Sequence, residues 1–403
     1  MFSRNNKGSF RASSSAEGGK KNRRGLIIGI VALVFVIAIG AAAFFKLDGL
    51  AGKISVGNKS LLGNIIKSLP GVEDTLKGEE DGRINVLLLG MRGEGVGGGG
   101  LLADTIMVLS IHPSSGKEGD QIDQAKASLV SIPRDLYVQV PGASEQRKVN
   151  AVYALGHERG ATGGMDAMKT IISEVTGQPI HYAVTIDFKG FTELVNALGG
   201  IDVTLAQPFM ESMQFHEPQV CDPYVYMVPT KPLQYQHKYR VGTSGARRIV
   251  KSYPLCYNKS EECGGTFQLP AGVNHLDGQK ALCYARSRYQ TNDFERARRQ
   301  QAVIQEIKAK ALSAGVLTDF SKLNDVLKTL GDNVRTDMEL WELKRLYELY
   351  KKFGSDIPLM QKVLEDSEEG LLYAPEVNVE RGYVLLPRGD NYDRIQEFFR
   401  SIP

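Results

Sequence analysis

Arginines are concentrated in residues 284–301, and their spacing suits the binding of a phosphate-bearing ligand. Arg286 and Arg288 stand two residues apart in a segment whose pattern predicts a strand, so both side chains are expected on one face. Guanidinium groups that point to one place need an anion, and their planar donors match phosphate oxygens. The pair therefore predicts a phosphate site. A charged surface held by internal salt bridges is the alternative.

The helix predicted to follow this pair carries further inward-facing polar groups. Its apolar stripe, traced back toward the N-terminus, runs through Arg296, Arg299 and Gln300, whereas Arg298 falls on the opposite, solvated face. Polar groups on an inward face need partners, and a helix N-terminus attracts anions. We therefore assign Arg296, Arg299 and Gln300 to the same predicted phosphate site.

A glycine-rich loop separates two predicted strands in residues 90–108, and Asp104 opens the second of these strands. Glycines let backbone amides approach an anion, although no GK[ST] follows that would complete a nucleotide-binding P-loop. A flexible loop without a ligand is the alternative interpretation. Asp104 is a candidate ligand for Mg²⁺, or it caps a turn.

A third group of candidate residues follows the next predicted strand. Arg134 and Asp135 come directly after it, where α/β sheets place ligand groups. Lys148, Asn150 and Tyr153 lie shortly afterwards in the segment KVNAVY. We predict that Arg134, Lys148 and Asn150 contact the ligand. A purely structural role for Arg134 with Asp135 is the alternative.

Signatures of the common hydrolases are missing from the sequence. There is no GxSxG, no HExxH and no cysteine placed as a nucleophile, and the six histidines show no metal-binding spacing. Several arginines with a carboxylate, and without a covalent nucleophile, suit phosphoryl transfer by positioning and charge neutralisation.

The N-terminal segment predicts a membrane anchor. Residues 1–24 hold seven Lys and Arg residues and one Glu, a net charge of +6, whereas the whole chain carries +3. Gly25–Phe45 are 21 residues without a charge, and as a helix they rise about 31 Å, enough to cross a bilayer. The flanking basic residues place the N-terminus in the cytoplasm and residues 46–403 outside it. A cleaved signal peptide ending near Ala41–Ala43 is the alternative.

Four cysteines are compatible with an extracytoplasmic compartment. Cys221, Cys256 and Cys263 lie in one loop-like stretch, and we expect one disulfide among them, with Cys256–Cys263 favoured by its short loop. Cys283 stands in the apolar run ALCYA and is predicted to be a buried thiol. The spacings match no common zinc site.

Strand and helix patterns alternate along the chain and predict an α/β fold, an α-β-α sandwich with a mainly parallel central sheet. Expected strands are 84–90, 104–111, 127–132, 136–140, 181–186, 201–205 and 384–387, and expected helices are 163–177, 188–200, 293–313, 321–331, 337–353 and 391–400. Asn292 or Asp293 is expected to cap the helix 293–313. The predicted organisation is a basic tail 1–24, a transmembrane helix 25–45, a stalk 46–80 and a catalytic domain 81–403, with an insertion at 208–268 and a helical C-terminal part at 314–403.

Five sequence blocks, in order, resemble the LytR-CpsA-Psr family. They are INVLLLG…DTIMVLSI, SIPRDLYV, KVNAVY, IDFKGFTELVNALGGIDV and LDGQKALCYARSRY…DFERARRQQAVI. The resemblance implies an extracytoplasmic phosphotransferase assisted by Mg²⁺ or Mn²⁺. Such an enzyme moves a glycopolymer from a polyprenyl-pyrophosphate carrier to peptidoglycan, as a phosphodiester on the 6-hydroxyl of muramic acid. It also implies an apolar tunnel for the lipid and contact with the membrane. A nucleic-acid partner is not expected, because the excess positive charge lies on residues 1–24 whereas residues 25–403 sum to −3.

The resemblance assigns roles to individual residues. Asp104 matches a carboxylate near the metal and pyrophosphate, and Arg134, Arg286 and Arg288 match catalytic arginines. Arg296 and Gln300 match the inward groups of the following helix.

The sequence departs from the family pattern after the first strand, where a second Asp is common. Here Met91 and Arg92 stand in that place. Arg92 is therefore a candidate phosphate contact and Glu94 a candidate replacement for the missing carboxylate. A pyrophosphatase and a non-catalytic lipid-pyrophosphate-binding protein are the alternative functions.

Overall fold

The computed structural model describes residues 75–403 with several gaps. The gaps are 96–98, 114–125, 161, 212–218, 222–226, 231, 242–246, 259–262, 264–266, 288–291, 315, 317–325, 327–328, 354–358 and 378–380. The predicted tail, transmembrane helix and most of the predicted stalk therefore lie outside the described residues. Within the part of the chain that is described, no helix combines the length and the apolar character needed to cross a bilayer.

Short strands alternate with helices along the described chain. The strands are β1 (Ile84–Met91), β2 (Thr105–His112), β3 (Lys126–Ser131), β4 (Tyr137–Gln139), β5 (Gln146–Lys148), β6 (Tyr182–Asp187), β7 (Ile201–Leu205), β8 (Phe209–Glu211), β9 (Gln219–Val220), β10 (Met227–Pro229), β11 (Tyr235–Val241), β12 (Arg247–Asn258), β13 (Phe267–Leu269), β14 (Gly272–Leu276), β15 (Val334–Thr336), β16 (Leu359–Val363), β17 (Leu372–Tyr373) and β18 (Leu386–Pro387). The helices are α1 (Val152–His157), α2 (Gly163–Thr176), α3 (Phe188–Ala197), α4 (Gly278–Arg286), α5 (Asp293–Ser313), α6 (Leu340–Phe353) and α7 (Asp393–Ser401).

A six-stranded sheet with the order β15-β6-β1-β2-β3-β16 forms the centre of the domain. β1 is parallel to β6 and β3 is parallel to β16, whereas the pairs β15/β6, β1/β2 and β2/β3 are antiparallel. The sheet is therefore mixed, and the prediction of a mainly parallel sheet is wrong. Only a parallel pair requires a long crossover connection, and no helical pattern separates β1 from β2 or β2 from β3 in the sequence.

Both faces of this sheet are covered, as the continuous apolar runs predict. Along β1, Val86 and Leu88 face one core with α3, α4, α5 and α6, whereas Leu87 and Leu89 face the other core with α1, α2 and α7. Helix α2, predicted over 163–177, packs its apolar side chains into the second core. The three-layer α-β-α arrangement is thus confirmed.

Helix α4 replaces the strand that was predicted around Arg286. The side chain of Asp277 accepts a hydrogen bond from the amide of Lys280 at 2.8 Å and so caps the helix, while Ala281 and Ala285 are buried at helical spacing. Arg286 is the last residue of this helix, and Arg288 lies outside the described residues. The prediction that both arginines point from one strand is therefore wrong.

The insertion at 208–268 contains strands that its irregular composition did not predict. β9, β10, β11 and β12 form a small sheet of their own, and β8 pairs with β13 at the base of the insertion. Two disulfides join Cys221 to Cys256 and Cys263 to Cys283, with Cα–Cα distances of 5.0 and 5.7 Å. The prediction of one disulfide among Cys221, Cys256 and Cys263 is confirmed by the bond from Cys221 to Cys256. The favoured Cys256–Cys263 pair and the predicted free thiol of Cys283 are wrong, because the partners meet only through the tertiary fold.

The ends of the described chain also contribute to the packing. Leu76, in the segment predicted as stalk, is 2% exposed and lies in the core. The C-terminal part, predicted as helical, supplies α6 and α7 together with both edge strands of the central sheet, β15 and β16.

Candidate functional site

The central sheet brings Asp104 and Arg134 together at one edge. Asp104 directly precedes β2 and Arg134 follows β3, and these two strands are antiparallel neighbours with Met107 opposite Ser131. The start of one strand therefore lies beside the end of the other. Backbone hydrogen bonds to Asn150 connect the two loops. The carbonyl of Asn150 accepts from the amide of Ala103 at 3.0 Å, and its backbone amide donates to the carbonyl of Arg134 at 3.3 Å.

Arg134 connects two carboxylates. Its Nη1 donates to Oδ1 of Asp104 at 2.6 Å, and its Nε donates to Oδ2 of Asp293 at 3.0 Å. Oδ2 of Asp135 lies 3.7 Å from the same Nε. Burial alone lowers the pKa of Arg134, but the charges of Asp104 and Asp293 outweigh it and raise that pKa above its usual value.

The N-terminus of α5 supplies the other half of this cluster. Asn292 caps the helix by accepting from the amide of Glu295 at 2.8 Å, as one of the two predicted caps. Arg296, only 8% exposed, donates through Nη2 to Oδ2 of Asp293 at 3.3 Å and to the carbonyl of Asp104 at 3.4 Å. The prediction that Arg296 faces inward is confirmed.

An apolar cavity of about 110 Å³ lies between the sheet and helices α3, α4 and α5. Its lining is almost entirely aliphatic and aromatic, and includes Phe191, Leu282 and Ile304. Arg286 lines the same cavity, with its guanidinium carbon 4.6 Å from the centre of the Phe188 ring. A guanidinium over an aromatic face is held by a cation–π contact, so Phe188 orients Arg286.

The apolar cavity and the charged cluster share two residues. A smaller cleft of about 20 Å³ is lined by Asp104, Arg134, Arg296 and Asp293. Thr105 and Gln300 line both this cleft and the apolar cavity. The charged cleft and the apolar cavity therefore adjoin each other at these two residues.

Comparison with known proteins identifies the family. The model of the LytR_cpsA_psr family matches residues 58–369. The chain belongs to the LytR-CpsA-Psr family. The chain is 26% identical over 360 residues to the polyisoprenyl-teichoic acid–peptidoglycan teichoic acid transferase TagU of Enterococcus faecalis, covering 86% of each protein. It is 24% identical over 389 residues to the transferase TagV of Bacillus subtilis, covering 88% of this chain and 80% of TagV.

A solved structure shares the fold of this LytR-CpsA-Psr protein. The crystal structure of protein gbs0355 from Streptococcus agalactiae aligns with a TM-score of 0.53 at 19% identity. The alignment covers 82% of this chain and 90% of gbs0355.

Not every predicted site residue of this family member reaches the cluster. Nζ of Lys148 lies 2.6 Å from Oδ1 of Asp135, so Lys148 contacts the residue that follows Arg134 in the chain. Arg299 turns away: it donates to the carbonyl of Ser287, and its guanidinium carbon stands 5.2 Å from the centre of the Phe209 ring. Arg92 is half-buried and lines neither cavity.

Glu94, the candidate replacement for the second carboxylate that the resemblance implies, lines neither cavity. Its Oε2 accepts from Nη2 of Arg335 at 2.5 Å, and its Oε1 lies 3.5 Å from Nε2 of His157. The hydrogen bond from Arg335 is the main reason that the pKa of Glu94 lies below its usual value. Glu94 thus anchors the glycine-rich loop.

Asp293 is the site residue that sequence reasoning missed, because it was considered only as a helix cap. Mg²⁺ typically binds one or two protein carboxylates and completes its shell with water and substrate phosphates. Asp104 and Asp293, which share Arg134, fit that donor set. No group of three or more His, Cys, Asp or Glu side chains suited to a metal ion occurs among the residues described.

Proposed function

We propose that this protein transfers a phosphate-linked glycopolymer from a polyprenyl-pyrophosphate carrier to peptidoglycan. The observation that carries the proposal is the junction of the apolar cavity with the arginine–carboxylate cluster at Thr105 and Gln300. A polyprenyl pyrophosphate has an apolar chain and a polyanionic head, and each part of the junction suits one of them. TagU and TagV are named as transferases of teichoic acid from a polyisoprenyl carrier to peptidoglycan, which supports the same substrate class.

The proposed reaction is a displacement at phosphorus. The acceptor hydroxyl, the 6-hydroxyl of a muramic acid residue, attacks the sugar-side phosphorus. A new P–O bond forms, the bridging P–O bond of the pyrophosphate breaks, and polyprenyl phosphate leaves with its electron pair. Asp104 takes the hydroxyl proton, since Arg134 holds its carboxylate beside the cleft at 2.6 Å.

The arginines neutralise the charge that develops on the phosphate oxygens. Arg286 lines the apolar cavity from the end of α4, Arg296 lines the charged cleft from the start of α5, and Gln300 lines both. Donors that are fixed before the reaction stabilise a transition state without reorganisation, and each is worth about 10²–10³ in rate. Phe188 fixes Arg286, and Asp293 fixes Arg296.

A divalent ion belongs to the proposal. Asp104 and Asp293 would hold Mg²⁺ or Mn²⁺, which would neutralise pyrophosphate charge when bound. Asp104 would then activate the acceptor hydroxyl as a base beside the ion.

We also propose that the protein is anchored by residues 25–45 with the catalytic domain outside the cytoplasm. The uncharged segment with basic residues before it supports this orientation. The two disulfides support it as well, because disulfides persist in oxidising compartments.

The test uses the full-length protein in detergent, a polyprenyl-pyrophosphate-linked oligosaccharide, and peptidoglycan oligomers, with and without Mg²⁺. Mass spectrometry follows the products. A phosphodiester-linked conjugate together with polyprenyl phosphate is the expected result. Free phospho-oligosaccharide without conjugate would assign a pyrophosphatase instead, and tight donor binding without turnover would assign a binding protein.

A further inference from the structure

The insertion contains a two-stranded ribbon. It consists of residues 235–241 of β11 and 247–254 of β12, and we call it the arm. The strands β9 and β10 pair only with residues 255–258, at the base of β12. Residues 235–240 and 247–252 are all exposed. An isolated two-stranded ribbon is marginally stable in water, so a surface of this kind is expected to serve a partner.

One face of the arm is rich in aromatic side chains. The other face carries four Lys and Arg side chains together with Tyr253, whose ring centre lies 4.9 Å from Nζ of Lys251. The rings of Tyr235 and His237 lie 6.3 Å apart and those of His237 and Tyr239 6.2 Å apart, so these three side chains share a face. Ile249 stands directly opposite Tyr239 on that face. The residues between them point the other way, as strand geometry requires.

The opposite face carries two successive pairs of like charges. Lys238 stands opposite Lys251, and Arg240 stands opposite Arg248, with a bulge between the pairs. Like charges directly opposite one another destabilise a ribbon. No ion pair to any of these four side chains occurs in the described structure, and residues 223–260 contain seven Lys and Arg residues but no Asp or Glu.

We propose that the cationic face of the arm binds a linear, phosphate-rich glycan. The two pairs of cations are about 7 Å apart along the strands, and so form a row that suits an extended chain of repeating anions. Binding of such a polyanion removes the repulsion within each pair. This inference rests on the proposed function and deepens it, because the polymer is the glycan part of the donor.

The way the arm is attached supports this partner. The disulfide between Cys263 and Cys283 joins the end of the insertion to α4, whose last residue is Arg286. At the start of the insertion, the ring of Phe209 packs edge-on against Tyr284 at 5.1 Å. Both ends of the insertion therefore contact α4, the helix whose last residue is Arg286. In the proposed function Arg286 binds the pyrophosphate, and the glycan of the donor is attached to that pyrophosphate.

A membrane contact fits the arm less well. Aromatic and aliphatic side chains such as Tyr235, Tyr239 and Ile249 would have to enter the lipid interface. In that orientation Lys238, Lys251, Arg240 and Arg248 would point away from the anionic headgroups. Because four of the five Lys and Arg side chains of the arm would face away from the lipid, the arrangement favours a soluble polyanion.

The test measures binding of long-chain inorganic polyphosphate to the full-length protein by calorimetry. All proteins carry Arg286→Ala, which weakens binding at the pyrophosphate site. The arm variant is Lys238→Gln, Arg240→Gln, Arg248→Gln and Lys251→Gln. The control variant removes four exposed charges elsewhere: Arg147→Gln, Lys344→Gln, Arg394→Gln and Arg400→Gln. Circular dichroism confirms that both variants fold.

We expect the arm variant to bind polyphosphate about tenfold more weakly or worse, and the control variant to bind normally. The proposal would be overturned if the arm variant bound polyphosphate as tightly as the parent Arg286→Ala protein. It would also be overturned if the control variant lost as much affinity as the arm variant. Loss of binding to phosphatidylglycerol vesicles with unchanged polyphosphate binding would assign the arm to the membrane and also overturn it. Transfer to peptidoglycan is measured separately with Arg286 restored, so failure of the proposed function is distinguishable from failure of the arm.

Discussion

The guanidinium of Arg134 donates a hydrogen bond of 2.6 Å to the carboxylate of Asp104. The same guanidinium reaches Asp293 at 3.0 Å, so one side chain joins the loop before β2 to the N-terminus of α5. A planar guanidinium can serve two carboxylates in fixed directions, whereas an ammonium group cannot do so with the same geometry.

Arg134→Lys is therefore expected to lower the rate of glycan transfer about 100-fold, although the charge is conserved. Single-turnover transfer assays measure this loss. Arg298→Lys is the matched control, because Arg298 is exposed and its partners among the described residues, Glu295 and Glu365, lie outside the cluster. Similar rates for wild type and Arg134→Lys would contradict the role given to Arg134.

Filling the apolar cavity should discriminate between donors with long and short lipids. Ile304 is partly exposed and lines the cavity, so Ile304→Trp places additional volume there. We expect KM for a long polyprenyl donor to rise about tenfold, because its chain loses apolar contact, while a water-soluble short-chain donor is unaffected. An equal effect on both donors would show that the lipid lies elsewhere.

The buried Lys308 should make stability depend on pH. Its side chain is 1% exposed, and burial lowers its pKa to about 7 from the value of 10.5 expected in the unfolded chain. At pH values between these two pKa values, the unfolded state binds more protons than the folded state. The free energy of unfolding therefore rises with pH in that range. From pH 7 to pH 9 the rise is expected to be about 2 kcal/mol.

Lys308→Met is expected to be more stable than wild type at pH 7 and to lack this rise, since no ammonium group must lose its proton on folding. Urea denaturation at pH 7 and pH 9 measures both effects. Lys344→Met changes an exposed lysine and serves as the control. Parallel pH profiles for wild type and Lys308→Met would show that Lys308 is charged in the folded protein.

The disulfide between Cys263 and Cys283 should support both stability and transfer. The bond spans 20 residues, for which loop closure predicts about 3 kcal/mol of stabilisation. The double variant Cys263→Ser, Cys283→Ser is expected to unfold at lower urea concentration and to transfer more slowly, because α4 carries Arg286.

The double variant Cys221→Ser, Cys256→Ser is the matched control. That bond lies within the insertion and does not reach α4, so transfer of a donor with a short uncharged glycan should persist. If the two double variants lost this transfer equally, the link from Cys283 to the position of Arg286 would be refuted.

Much of the fold follows from local patterns. The strand Ile201–Leu205 and the helix Asp293–Ser313 have the predicted bounds, because apolar periodicity and an Asn cap act over a few residues. The sheet order, the disulfide partners and the edge strands β15 and β16 depend on contacts between distant segments. No local pattern contains that information.

In the candidate site, too, features set by local sequence patterns were predictable, whereas features set by contacts between distant segments were not. The inward direction of Arg296 and Gln300 follows from helical periodicity, and the structure places both beside Asp104. Asp293 was missed because its role comes from Arg134, which lies 159 residues earlier in the chain. The segment around Arg286 was misread as a strand, since its small apolar residues suit either conformation.

In the proposed mechanism, Arg286 acts on the pyrophosphate at the end of the apolar cavity. Its most direct test is the single-turnover rate of conjugate formation by the full-length Arg286→Ala variant, compared with Arg298→Ala. We predict a loss of at least about 100-fold for Arg286→Ala and a normal rate for Arg298→Ala. Normal conjugate formation by a folded Arg286→Ala protein would contradict the account.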